Sequence, residues 1–248
     1  MLTKATIKLV KSLSEKSNRY ANKLFVAEGS KSVLDLIDAN CELVQVFAYD
    51  EWLSGNKAKL SKFATITCLS EKEMAQLSAL KSPREVVALF KIPIAGFNPS
   101  QMSGLILALD TVQDPGNLGT IIRLADWYGI KHILCSVDTV DAFNPKVVQA
   151  TMGSLGRVQL MYGDLSVFFK SLTFPVVAAE MNGSAARKFN FEKNMVLLLG
   201  NEGVGVSQAL RPFINHSISI EKLGSAESLN VAMAGAILID RYFGQVIN

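Results

Sequence analysis

The sequence contains few residues of the types that form disulfide frameworks or bind metal ions. Its 248 residues include only three cysteines and two histidines. The cysteines, Cys41, Cys68 and Cys135, are scattered, odd in number and without CxxC spacing, so the sequence indicates neither a disulfide-rich fold nor a zinc site. We therefore expect a protein of a reducing compartment with no bound metal.

A long uninterrupted apolar segment is also missing. The longest apolar run, Val231–Ile239, is far shorter than the roughly 20 residues that a membrane-spanning helix requires. The opening residues, MLTKATIKLVKSLSEK, contain a lysine every few positions and so lack the apolar core of a signal peptide. We expect a cytoplasmic protein without a membrane partner, and its apolar fraction of 49% is sufficient for buried cores.

The net charge of +3 is too small to establish a polyanionic partner, but the charge is unevenly distributed. Residues 1–98 contain 14 Lys and Arg against 10 acidic residues, whereas the remainder contains 11 against 12. Two interpretations of the basic excess are open, a solvated helix face or a surface that contacts nucleic-acid phosphates. The excess lies mostly in the opening stretch, at Lys4, Lys8, Lys11, Lys16, Arg19, Lys23 and Lys31.

A segment rich in proline and glycine divides the chain. Residues 92–104, IPIAGFNPSQMSG, place two prolines and two glycines between apolar runs, which is typical of a domain boundary. The residues before it predict a small α/β module of alternating elements. Within that module we expect helices over residues 3–17, 31–38 and 71–79, and strands at LFVAE, VQVFAY, TITCL and VVALFKI.

After the boundary, apolar runs alternate more regularly with stretches of helical periodicity. Continuous apolar strands are buried on both faces, so these runs predict a parallel sheet covered by helices. The last element, residues 228–243, is predicted to be a helix with small residues that permit close packing. The apolar runs are LILALD, HILCS, VQLMY, VVAAEM, MVLLL and HSISI.

Three turns in this second part combine glycine with polar residues, and each follows a predicted strand. Ligands of open parallel sheets bind beyond the carboxyl ends of the strands, so these turns are candidate sites. In the first, Asp114–Asn117 predicts a turn and residues 120–128 a helix, which places Asn117 near the helix start and Arg123 inside the helix. A capping asparagine and a surface arginine would explain the same pattern.

The second turn, LLLGNEGVGVSQAL, is a glycine-rich loop in which backbone N–H groups can approach a ligand closely. Gly200, Gly203 and Gly205 follow a GxxGxG order instead of the GxGxxG order of dinucleotide-binding proteins. Glu202 is also negative where a pyrophosphate would lie. A nicotinamide-dependent enzyme is therefore a weak alternative, supported by Glu221 at the end of the next strand.

The third turn, SISIEKLGSAESLNV, precedes the final helix. Ser225 or Ser228 is expected to cap that helix, and Asn230 to fall in its first turn. Ser228 and Asn230 are two residues apart and so do not share a helical face. The pattern by itself indicates no more than a capped helix.

Together and in this order, the three turns resemble the signature motifs of the SpoU family of RNA ribose methyltransferases, a branch of the SPOUT superfamily. The NxGxxxR motif is met by Asn117, Gly119 and Arg123, the GNEG motif by residues 200–203 and the SLNV motif by residues 228–231. The resemblance implies an enzyme that uses S-adenosylmethionine to methylate a ribose 2′-hydroxyl in ribosomal or transfer RNA. The alternative is a non-catalytic RNA-binding or ribosome-associated protein that retains the fold.

The resemblance also implies an architecture. Residues 103–248 would form the methyltransferase domain, an α/β domain whose parallel sheet contains a deep trefoil knot and which forms a homodimer through its final helix. Residues 1–98 would form a small α/β, ribosomal protein L30e-like domain that binds the RNA substrate, because RYANKLFVAEG is similar to the start of such domains. The RNA-binding residues of that domain would be Lys8, Lys11, Arg19 and Lys23.

The same motifs imply the site residues. We expect Arg123 to bind a phosphate and to stabilise the developing alkoxide, because a guanidinium is effectively always protonated, and Glu202 to hold Arg123 in an ion pair. The sequence departs from the family after Ile220, where Glu221 and Lys222 replace the usual Pro and Met. The implied catalytic residues are Asn117, Arg123, Glu202, Ser228 and Asn230, and the implied S-adenosylmethionine contacts are Gly200, Ile220 and Leu229.

Overall fold

The computed structural model describes residues 2–60, 65–94 and 96–246. The chain forms two compact units, one of residues 1–94 and 141–157 and the other of residues 95–140 and 158–248. Residues 141–157 thus pack with the N-terminal part of the chain, although they lie within residues 103–248, the predicted methyltransferase domain. Ala95, inside the predicted boundary segment, lies outside the described residues. None of the helices in the described ranges is long and apolar enough to cross a bilayer.

Helices and strands alternate along the chain, and each predicted apolar run contains a strand. The helices are α1 (Lys4–Ser12), α2 (Lys16–Asn22), α3 (Ser30–Asp38), α4 (Asp50–Gly55), α5 (Lys57–Leu60), α6 (Glu71–Leu77), α7 (Pro115–Trp127), α8 (Pro145–Thr151), α9 (Leu165–Ser171) and α10 (Val231–Val246). The strands are β1 (Leu24–Glu28), β2 (Leu43–Ala48), β3 (Ile66–Cys68), β4 (Val86–Lys91), β5 (Leu105–Leu109), β6 (His132–Cys135), β7 (Gln159–Tyr162), β8 (Val176–Ala185), β9 (Met195–Leu199) and β10 (His216–Ser219).

The first unit is built on a four-stranded sheet with the order β1-β4-β2-β3. Strand β4 pairs antiparallel with β1 and β2, while β2 and β3 are parallel. Helices α1 and α6 contribute Val10 and Met74 to an apolar cluster that also contains Phe47 and Leu89 of the sheet. The prediction of a small α/β module is confirmed.

The helix predicted over residues 3–17 is in fact two helices, α1 and α2, separated by a short turn. The buried side chain of Arg19 explains the break, because its guanidinium donates to the carbonyl oxygens of Leu13 (2.8 Å) and Ser14 (2.7 Å) at the end of α1. Arg19 also forms an ion pair of 2.5 Å with Asp141. The prediction that Arg19 binds RNA is wrong, because the side chain is only 2% exposed and its donors are occupied within the unit.

The second unit contains a six-stranded sheet with the order β10-β8-β9-β5-β6-β7. All of its strand pairs are parallel, as predicted. The central strands β5 and β9 are buried along their whole length, which explains why their sequences are continuously apolar. The trefoil knot that the resemblance implies stays a prediction.

The strand order of this sheet reverses at β5. Strands β6 and β7 follow on one side of β5, and β8, β9 and β10 lie on the other side. Where the loops after two adjacent strands run in opposite directions, a crevice opens at the carboxyl ends of those strands. This crevice is the usual ligand site of parallel sheets. The loops after β5 and β9 carry the first and second sequence motifs, so the topology brings these motifs to one edge.

We expect the substitution Asp141→Ala to destabilise the first unit by about 3–5 kcal/mol, because it leaves the charge of Arg19 buried without a partner. The matched control is Asp38→Ala, which removes a surface pair with Lys59 whose side chains are 56% and 44% exposed. That change should cost less than about 1 kcal/mol. Urea unfolding of the full chain measures both, and equal losses would contradict a structural role for the buried pair.

Candidate active site

A cavity of about 980 Å³ lies in the second unit. Its walls come from β8, the loop after β9, the segment after β10 and the first half of α10. Asn117, Arg123 and Asn230 are not among its lining residues, so the cavity does not contain the whole predicted site. The predicted site residues that do line it are Gly200, Glu202, Ile220, Ser228 and Leu229.

The first motif lies at the start of α7, which begins at Pro115 instead of residue 120. Asp114 caps this helix, since its side chain accepts a hydrogen bond of 2.8 Å from the backbone N–H of Asn117. Asn117 is therefore not the cap, and its side-chain amide is available for other contacts. Arg123 lies two turns further along α7 and is exposed.

The second motif forms a tight loop closed by Asn201 and Gly205. Their backbones form a two-way bridge, with N–H to O distances of 3.0 and 2.9 Å. The Asn201 Oδ1 atom accepts hydrogen bonds from the N–H groups of Gly203 (2.9 Å) and Val204 (3.1 Å), which fixes the turn. Gly205 has φ +75°, and a Cβ at Gly200 would lie 2.5 Å from the Gly205 backbone. Glycine is therefore required at both positions.

Two hydrogen bonds join this loop to the residues that follow β5. The Asn201 Nδ2 atom donates to the carbonyl oxygen of Thr111 (2.9 Å), and the buried carboxylate of Asp110 accepts from the N–H of Ser207 (2.7 Å). Thr111 has φ +58°, an unfavourable conformation for a β-branched residue. Sequence reasoning did not single out Asp110, Thr111 or Asn201 as site residues, although an acid that ends a buried strand was a signal for Asp110.

The third motif lies directly before α10, which begins at Val231. Asn230 caps the helix, because its Oδ1 atom accepts from the N–H groups of Ala232 (3.0 Å) and Met233 (3.2 Å). The predictions that Ser225 or Ser228 is the cap and that Asn230 lies in the first turn are wrong. A serine cap is not needed, since the asparagine satisfies the same free N–H groups.

A chain of side-chain hydrogen bonds joins the three motifs. The Asn117 Nδ2 atom donates to Glu202 Oε1, and the Asn230 Nδ2 atom donates to Asn117 Oδ1 at 2.8 Å. Asn117 thus uses both ends of its amide, one toward the glycine loop and one toward the start of α10. This arrangement fixes the relative positions of residues that are up to 113 positions apart in the sequence.

The predicted ion pair between Glu202 and Arg123 is absent. Glu202 instead accepts a hydrogen bond from Asn117. Within the part of the chain that the structure describes, the Arg123 guanidinium has no hydrogen-bond or ion-pair partner. Its five N–H donors are therefore free to bind an oxygen-rich ligand.

The charged residues of the cavity walls are mostly acidic, with Glu180, Glu202, Glu221 and Glu227 against Lys222. Two of these acids are paired with arginines outside the walls. Glu180 forms an ion pair of 2.5 Å with Arg211 and accepts a hydrogen bond of 2.6 Å from Ser217. Glu202 and Glu227 have no cationic partner among the described residues and so favour a positively charged group in the cavity.

The other paired acid is Glu221, whose neighbours are Arg241 at 3.1 Å and Arg187 at 3.6 Å. The pKa of its carboxyl is lowered, first by a hydrogen bond from its own backbone N–H and then by Arg241 and Arg187, with partial opposition from desolvation. Glu221 is thus held as an anion beside the cavity. Its charge is compensated locally, so it adds little to the negative potential inside.

These residues fit S-adenosylmethionine. The cavity volume of about 980 Å³ lies within the usual range of ligand pockets, about 300–1,000 Å³. Apolar side chains such as Leu199, Val231 and Leu238 provide a surface for a flat base. The glycine loop presents its backbone, and the uncompensated acids suit the positive sulfonium.

The glycine loop allows a matched comparison of two substitutions. Gly200→Ala should weaken the binding of S-adenosylmethionine about 5- to 150-fold, because overpacking against fixed backbone costs about 1–3 kcal/mol. Gly203→Ala should have little effect, because its Cβ would meet only Asn201 Oδ1, at an ordinary 3.5 Å. Calorimetric titration of both folded variants measures the difference, and equal affinities would show that the loop does not shape the site.

Comparisons with known proteins agree with this geometry. Residues 104–240 match the SpoU rRNA methylase family, and residues 4–88 match an MRM3-like substrate binding domain. The chain is 29% identical over 233 residues to the 23S rRNA (guanosine(2553)-2′-O)-methyltransferase RlmP of Bacillus subtilis, with 92% of each chain covered.

Solved structures show the same similarity over nearly the whole chain. A Porphyromonas gingivalis structure assigned to the TrmH family of RNA methyltransferases is 34% identical, with a TM-score of 0.86 and 98% of each chain covered. The AdoMet-bound rRNA methyltransferase from Sinorhizobium meliloti is 30% identical, with a TM-score of 0.89 and coverage of 100% of this chain and 97% of that one. The alternative of a nicotinamide-dependent enzyme is therefore rejected. The chain belongs to the SpoU rRNA methylase family.

Proposed function

We propose that the chain transfers the methyl group of S-adenosylmethionine to a ribose 2′-hydroxyl of ribosomal or transfer RNA. The observation that carries this proposal is the hydrogen-bonded series Glu202, Asn117 and Asn230, which joins all three family motifs. Relatives named as 23S rRNA 2′-O-methyltransferases support the reaction and the substrate class. Family membership also favours an enzyme over a protein that only binds RNA.

Residues of the cavity would hold the cofactor. Gly200, Ile220 and Leu229 line it, so each is in a position to contact S-adenosylmethionine. When bound, the cofactor supplies an electrophilic methyl group on a positive sulfur. The glycine loop and the segment before α10 would orient it, and the apolar wall would exclude water from the adenine side.

Arg123 is the proposed catalytic residue nearest to the ribose. Its free guanidinium can bind a backbone phosphate of the RNA and stabilise negative charge on the 2′-oxygen as the proton leaves. Because a guanidinium is effectively always protonated, Arg123 is not a good general base. The proton would pass to phosphate or water, while the 2′-oxygen would bond to the methyl carbon as the sulfur–methyl bond breaks, which would leave neutral S-adenosylhomocysteine.

The remaining motif residues would position the reactants. Asn117 is held by Glu202 and Asn230, so its amide is rigid before the substrate arrives. Preorganisation of this kind contributes several kcal/mol to such reactions, about 7–11 in favourable intramolecular cases. Ser228 lines the cavity and has a free hydroxyl within the described part of the chain, available to the cofactor or the RNA.

The first unit is proposed to bind RNA through α1. Lys4, Lys8 and Lys11 are exposed and spaced four and three residues apart, which places them on one helical face. Lys23, at the end of α2, is also exposed. The similarity of residues 4–88 to a substrate-binding domain supports this role.

A homodimer is proposed for the second unit. Trp127 on α7 and Met233 on α10 are 85% and 57% exposed, which is high for large apolar side chains. These helices pack against each other, with Tyr128 donating a hydrogen bond of 2.9 Å to Asp240. A second copy that covers this face would bury both side chains. A cytoplasmic location is part of the proposal, supported by relatives named as bacterial 23S rRNA methyltransferases.

The variant Arg123→Ala should reduce the rate of RNA methylation by about 10²- to 10³-fold, the usual effect of removing one donor to a developing oxyanion. Its affinity for S-adenosylmethionine should be nearly unchanged, because Arg123 does not line the cavity. Arg123→Lys should give an intermediate rate, since it keeps the charge and loses the planar fork. Transfer of labelled methyl to ribosomal RNA measures the rates, and normal methylation by the alanine variant would refute the assignment.

Reversal of charge on α1 tests the RNA-binding role. The double variant Lys8→Glu and Lys11→Glu should bind ribosomal RNA more weakly and lower the slope of log affinity against log salt by roughly 2, because about two phosphate contacts are lost. The control is Lys57→Glu on α5, also exposed. Arg19 is left unchanged, because it is structural. Unchanged affinity and slope in the double variant would reject α1 as an RNA contact.

A further inference from the structure

The segment that joins β10 to α10 forms one wall of the cavity but has little structure of its own. Residues 222–230 are all exposed, and none belongs to a helix or strand. Among the described residues, no backbone-to-backbone hydrogen bond involves residues 221–229. Its conformation therefore depends on side-chain contacts and not on backbone pairing.

Two polar side chains attach this segment, Asn230 at its end through Asn117 and Glu221 at its start. The Glu221 Oε2 atom accepts a hydrogen bond of 3.1 Å from Arg241 Nη1, and its Oε1 atom lies 3.6 Å from Arg187 Nε. Arg241 belongs to α10, and Arg187 belongs to the short 3-10 helix Ala186–Lys188 that follows β8. One side chain thus connects the start of the segment to α10 and to the 3-10 helix after β8.

This contact is better protected from water than an ordinary surface pair. Glu221 and Arg241 are 27% and 20% exposed, whereas the surface pair of Asp38 and Lys59 is 56% and 44% exposed. Ion pairs weaken as they become more exposed and screened, so the pair with Arg241 is the main constraint, and the contact with Arg187, which is 70% exposed, adds less.

We propose that Glu221, with Arg241 and Arg187, is a positioning residue that holds the segment of residues 220–229 in the shape that binds S-adenosylmethionine. The three residues act through the segment and do not take part in the reaction. The inference rests on the proposed use of this cofactor.

Cofactor affinity of the full chain tests the proposal. Glu221→Gln, which is close in shape, should weaken S-adenosylmethionine binding about tenfold, as should Arg241→Met, and the double variant should lose little more, because the residues act together. The control Glu192→Gln removes an exposed acid elsewhere in the unit and should bind normally. Additive losses, or wild-type affinity in Glu221→Gln, would overturn the proposal.

A second measurement needs no cofactor. Trypsin can cut after the exposed Lys222, and Arg241→Met leaves the sequence around that bond unchanged. If the ion pair holds the segment, this variant is cut faster there than wild type, whereas the control Lys188→Met is not. Urea unfolding confirms that each variant is folded.

The two measurements separate the two proposals. If wild-type chain fails to bind S-adenosylmethionine but Arg241→Met is cut faster, the ion pair holds the segment while the proposed function fails. If wild type binds and cleavage is the same in both, the positioning role is wrong and the proposed function stands.

Discussion

The side-chain amide of Asn117 makes the contacts on which the candidate site depends. It donates to Glu202 in the glycine loop and accepts from Asn230 at the start of α10. The local structure of each motif indicates no function by itself. The first motif is the start of a helix, the second is a glycine turn, and the third is the cap of the last helix. The hydrogen bonds between them convert three ordinary local structures into one site, with the free guanidinium of Arg123 on the helix that carries Asn117.

The fold makes this meeting possible because the strand order reverses at β5. The loops after β5 and β9 leave the sheet at the same edge, and two polar side chains hold the second loop in place. Asp110 binds the backbone of Ser207, and Asn201 binds the carbonyl of Thr111, which is itself kept in an unfavourable conformation. Strain and buried polar contacts at this edge are consistent with selection for a rigid site over local stability. The wall after β10 differs, because a side-chain ion pair holds it.

Sequence alone predicted the parallel sheet, because strands buried on both faces have continuously apolar sequences. It also identified the three motifs, because their order along the chain is specific. Contacts between residues that are distant in the sequence could not be predicted from the sequence. The burial of Arg19 depends on Asp141, which is 122 positions away, and the partner of Glu202 depends on which residue of α7 faces the glycine loop. The choice between neighbouring polar residues as the helix cap was also not fixed by the sequence. Asn230 caps α10, although a nearby serine fits the sequence pattern equally well.

The central claim is that these motifs form one site that methylates a ribose hydroxyl. The most direct test incubates purified chain and S-adenosylmethionine with ribosomal and transfer RNA from a strain that lacks the protein, followed by mass spectrometry of the nucleosides and mapping of bonds resistant to alkali. The account predicts the gain of a 2′-O-methyl group at a defined nucleotide. A methyl group on a base, or cofactor binding with no methyl transfer to either RNA, would contradict it.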